Sequence, residues 1–125
     1  MKQPIIENDP ITMVAEAFEA VFPGIEYAAV YAPQIRDGNG TIVCSCVTFP
    51  DEGVDDVPVI ALNSQAGIEV AAEAFAQELA HVALGRESLE HGEEYDKALK
   101  AIADKYKEIG SARFPEEVEK NEQKE

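Results

Sequence analysis

The chain has 125 residues, 46% of them hydrophobic, which suits one folded domain with a real core rather than a disordered segment. Twenty-five Asp and Glu against ten Lys and Arg leave a net charge of −15, the wrong sign for the phosphates of nucleic acid or for an anionic membrane. No apolar run is long enough to span a bilayer, and Met1-Lys2-Gln3-Pro4 opens no signal-peptide apolar stretch, so the expected compartment is the cytoplasm.

Asp9-Pro10 pairs a capping residue with proline at the first helical position. Ile11, Val14, Phe18, Val21 and Phe22 then recur at helical spacing until Pro23-Gly24 stops them. Ile25 to Ala32, rich in β-branched and aromatic residues, predicts a first strand ended by Pro33. Asp37-Gly38-Asn39-Gly40 is a turn signal. Thr41 to Phe49 predicts a second strand, with Thr41, Val43, Val47 and Phe49 on one face and Ile42, Cys44, Cys46 and Thr48 on the other. The two strands are expected to form a hairpin.

An acidic loop from Pro50 to Val57 leads to a third, short strand at Pro58 to Leu62. Asn63 or Ser64 then introduces an apolar helix, Gly67 to Leu84, with Ile68, Ala71, Ala72, Phe75, Leu79 and Val82 on a wide buried face. Gly85 ends it. A last helix is expected from His91 to Ile109, striped by Tyr95, Ala98, Leu99, Ile102, Tyr106 and Ile109 and closed by Gly110. Residues 116–125 are almost entirely charged and polar and are expected to be a disordered tail, leaving 1–115 as the single domain. The sum is an α+β pattern: a helix, a small antiparallel three-stranded sheet, then two packed helices.

Cys44 and Cys46, the only cysteines, share a strand face. They are too close to staple the chain usefully, and read as small buried hydrophobes rather than a soft-metal pair.

Gln77-Glu78-Leu79-Ala80-His81 carries the chemistry. It matches a zinc-peptidase helix, HExxH, in which two His one turn apart hold the metal and the Glu acts on the metal-bound water, except that Gln77 stands at the first ligand position. Spacing puts Gln77 and His81 on one helix face, with Glu78 beside them. Glu69, Glu73, Gln77 and His81 also recur every four residues, which equally fits the polar face of an amphipathic helix.

The strand Val59-Ile60-Ala61-Leu62-Asn63, the stretch Glu78 to Gly85 and the segment His91-Gly92-Glu93-Glu94-Tyr95 together resemble the SprT-like zincin metallopeptidases, common as small phage and bacterial proteins. The resemblance covers about residues 57–109. It implies a zincin-like fold, His81 as second zinc ligand, His91 as third, Glu78 as general base, and Gln77 where the first ligand would stand. A neutral amide is a poor substitute for imidazole at zinc. The expectation is therefore an altered metal site, with zinc weakly bound or absent, and weak or no hydrolase activity. The alternatives are an active zinc peptidase using Glu78, His81 and His91, or a non-catalytic acidic module for a protein or peptide partner.

Overall fold

In the computed structural model, residues 9–85 and 92–113 are described, and they form three helices and three strands. Helix α1 spans Pro10–Val21, strand β1 Ala28–Ala32, β2 Ser45–Thr48, β3 Val59–Asn63, helix α2 Ile68–Leu84 and α3 Glu93–Arg113. The α+β class expected from the sequence holds. His91 and residues 116–125 lie outside the described residues.

Asp9 caps α1: its Oδ1 accepts a bond from the Thr12 amide at 3.0 Å, satisfying one of the first-turn donors, and Pro10 occupies the first turn, where a missing N–H costs nothing. The helix buries Met13, Val14, Ala17 and Phe18.

The sheet differs from the expected one. Its order is β1-β3-β2, with β1 parallel to β3 and β2 antiparallel to it. The sheet is mixed, and β1 and β2 are not a hairpin. The Asp37–Gly40 turn does fold back: the Asp37 amide donates to the Thr41 carbonyl at 2.9 Å, the Asp37 carboxylate accepts from the Asn39 and Thr41 amides, and Arg36 bridges Ile42. Pro33 and Gln34, the latter with φ at +51°, turn the chain away before that local reversal can extend into β1. The place beside β1 goes to β3, whose Ile60 and Leu62 are buried almost completely, as suits the middle strand of a sheet.

Helices α1, α2 and α3 pack on one another, and α2 covers β2 and β3. Phe18, Phe75, Ile60, Leu62, Leu79 and Ile102 are the largest fully buried side chains. Tyr27 bridges two of them, with ring centroids 5.6 Å from Phe18 and 6.0 Å from Phe75, both edge-on. Among the described elements β1 lies alongside β3 alone, and Val30 and Tyr31 stay exposed.

Gly110 does not close the last helix, which runs on to Arg113. Packing against α1 outweighs the low helix propensity of glycine: Met13 lies beside Gly110, and Arg113 Nη2 sits 2.6 Å from Glu16 Oε2. Among the described residues no helix is long and apolar enough to cross a membrane.

Candidate functional site on helix α2

Helix α2 is held by its apolar stripe, and that packing decides where residues 77 to 81 point. Ala71, Ala72, Phe75, Leu79 and Val82 bury the helix against the sheet and its neighbours. The residues between them project to two flanks. Successive residues turn by about 100° around a helix, so Gln77 and Glu78 diverge strongly.

Glu78 faces β2. Its carboxylate accepts a hydrogen bond from Ser45 Oγ at 2.6 Å, a short, charge-assisted contact in a part-buried place. Ser45 reaches it because β2 is an edge strand packed under α2, and Ser45 shares the inward face with Val47. Asn63 fixes this strand. Its backbone amide donates to the Cys44 carbonyl at 2.9 Å, its Nδ2 donates to the Val43 carbonyl at 3.2 Å, and its Oδ1 accepts from the Gln65 amide at 2.8 Å. A single buried side chain thus ties the end of β3 to the start of β2 and to the turn that leads into α2.

His81 is buried, only 8% exposed, and its ring packs on Tyr95 of α3 with centroids 4.7 Å apart and planes tilted by 38°. Tyr95 is itself buried. Burial raises its phenol pKa, and the nearby Glu78 carboxylate adds to the effect, so the hydroxyl keeps its proton at neutral pH. Burial, then Glu78, likewise raise the Cys46 thiol. A thiol held protonated is a poor metal ligand and a poor nucleophile. Cys44, which immediately precedes β2, is exposed rather than buried, and Cys46 is half-buried.

Gln77 lies one turn before His81, about 40° from it around the helix, and so on the same side of α2 as His81. It lines a groove between α1, α2 and α3 together with Leu99, Ile102 and Tyr106. Glu78, His81, Tyr95 and Ser45 come together, Gln77 borders the neighbouring groove, and His91 lies outside the described residues. Ser45 carried no motif. Its one sequence signal is a polar residue in the inward row Val43-Ser45-Val47.

The described donors do not make up a catalytic zinc set, which uses three protein ligands drawn from His, Cys and carboxylate. They offer the imidazole of His81, the carboxylate of Glu78, which accepts from a serine, and the amide of Gln77. Among the described residues no group of three or more His, Cys, Asp or Glu is placed to hold a metal ion. No protein-family model, no curated protein and no solved structure matches the chain.

Proposed function

We propose that this chain is a zincin-like, SprT-type protein with a metal site altered at Gln77, which binds a protein or peptide partner instead of hydrolysing it. The support is the resemblance around Glu78-Leu79-Ala80-His81 and His91-Gly92-Glu93-Glu94-Tyr95, set beside one contact. That contact is the bond from Ser45 Oγ to the Glu78 carboxylate.

A general base in this chemistry must take a proton from a metal-bound water. One of the two Glu78 oxygens is engaged by a serine hydroxyl at 2.6 Å. Loss of an imidazole at position 77 weakens the metal, and without metal the water keeps its ordinary pKa. What remains of the inherited site is a small polar cluster that ties β2, α2 and α3 together.

The competing reading is a working zinc peptidase built on Glu78, His81 and His91. The closeness of Glu78, His81 and Tyr95 at one end of α2 favours it over a purely apolar helix contact. Protein purified without chelators, assayed for bound metal and for cleavage of an unfolded protein substrate with added zinc, separates the two. The expected result is far less than one zinc per chain and no cleavage above that of a Glu78→Gln variant. Glu78-dependent cleavage with stoichiometric zinc establishes the competing reading instead.

A further inference from the structure

The groove beside α2 is a second surface, which shares Gln77 with the motif and needs no metal. Its floor is apolar, from Val14, Ala72, Ala76, Leu99, Ile102 and Ala103, and it encloses about 440 Å³. Three of those six residues are alanine, which lets another backbone approach closely. Ile68, 54% exposed, extends the Ala72–Ala76 stripe by one more turn of α2.

The rims are charged asymmetrically. Glu69 and Glu73, exposed and one helical turn apart, stand on the α2 side. No ion pair engages either among the described residues. Lys107 stands on the α3 side. Residues 9–85, which include α2, carry twelve acidic side chains against one basic residue, Arg36, a net of −11.

We propose that this groove docks a basic amphipathic helix from another protein. The partner's apolar anchors enter the groove, and Lys or Arg one turn apart on one flank meet Glu69 and Glu73, in the helix-in-groove mode. Lys107 sets the direction, because the basic flank must face α2 and not α3. A second copy of this chain does not fit. It carries −15, and Lys97, Lys100 and Lys105 of its α3 are each within ion-pair distance of an acid on the same helix.

The test is titration of the full chain with a synthetic Leu/Lys amphipathic helix, about four turns long, followed by calorimetry and by backbone amide shifts. Shifts are expected at Ala76, Leu99 and Ala103. Glu69→Lys with Glu73→Lys should weaken binding by about tenfold or more. Asp55→Lys with Asp56→Lys, the same charge change on the exposed loop before β3, should leave it within about twofold. Ala103→Trp should block the groove, and Ala103→Val replaces it if the larger residue prevents folding. Equal weakening by the two charge reversals overturns the proposal, since net charge alone would then bind the peptide. Groove resonances that move on deletion of residues 1–8 without peptide overturn it as well, as does self-association through the groove.

Discussion

Helix α2 turns one flank to β2 and the start of α3, and another to α1 and the rest of α3. On the first flank, polar groups are buried or half-buried: Ser45 donates to Glu78, and the His81 ring packs on that of Tyr95. On the second, Glu69 and Glu73 are exposed above an apolar floor with no ion-pair partner among the described residues. Polar clusters of the first kind are costly to disturb, because a removed partner leaves a buried group unpaired. Exposed carboxylates of the second kind can be removed at little cost to the fold, which is what a surface used for binding tolerates. Gln77 stands at the boundary: it is one turn from His81 on α2 and also lines the groove.

The contrast predicts a graded set of stability changes, each read by urea denaturation. Tyr95→Ala should cost the most, about 3 kcal/mol, since it opens a cavity beside His81 and Ala98. Tyr95→Phe should cost much less. If the two variants are equally destabilised, the hydroxyl and not the ring holds the flank together.

Ser45→Ala should cost about 1.5 kcal/mol, the range for a hydrogen bond to a charged group. A neutral result would mean that water satisfies Glu78 equally well and that the polar flank is open.

Asp9→Ala should cost about 1 kcal/mol by removing the cap of α1, whose first turn borders the groove. The hydroxyl and amide of Thr12 hold the Asp9 carboxyl below its ordinary value of 3.8. A depressed acid contributes stability above its unfolded pKa and loses it as pH falls through the lower, folded value. The difference between the parent and Asp9→Ala should therefore be full well above pH 3.8 and shrink as the pH falls below it, toward the lower, folded value. A constant difference across that range would contradict the cap.

Glu73→Ala should be the mildest, within about 0.5 kcal/mol, as for an exposed residue outside any network. A loss comparable to that of Ser45→Ala would erase the distinction between the two flanks.

The helices were legible because their signals are local. Asp9-Pro10, the 3.6-residue recurrence of Val14, Phe18 and Phe22, and the apolar stripe of α2 each lie within one element. Strand order was not, because pairing depends on what lies across the sheet. Asp37-Gly38-Asn39-Gly40 does make a reversal, yet nothing adjacent to it shows that the apolar run Val59–Leu62 displaces one strand from the other. The candidate site divides in the same way. Residues Glu78 and His81 could be placed on α2 from spacing, but Ser45 reaches Glu78 from 33 residues away. Spacing placed Gln77 near His81, and only the packing of α3 shows that Leu99 and Ile102 lie beside it.

On the proposed reading Gln77 is what keeps zinc from being held, and calorimetric titration of zinc into the natural chain and a Gln77→His variant checks it. The substitution restores two imidazoles one turn apart, and His91 is proposed as the third ligand. The account predicts weak or no binding to the parent and clear binding to the variant. It also predicts a melting temperature that rises with zinc only in the variant, worth about 2.7 kcal/mol at a hundredfold excess over Kd. Tight stoichiometric zinc in the parent, or none in a folded variant, would contradict it.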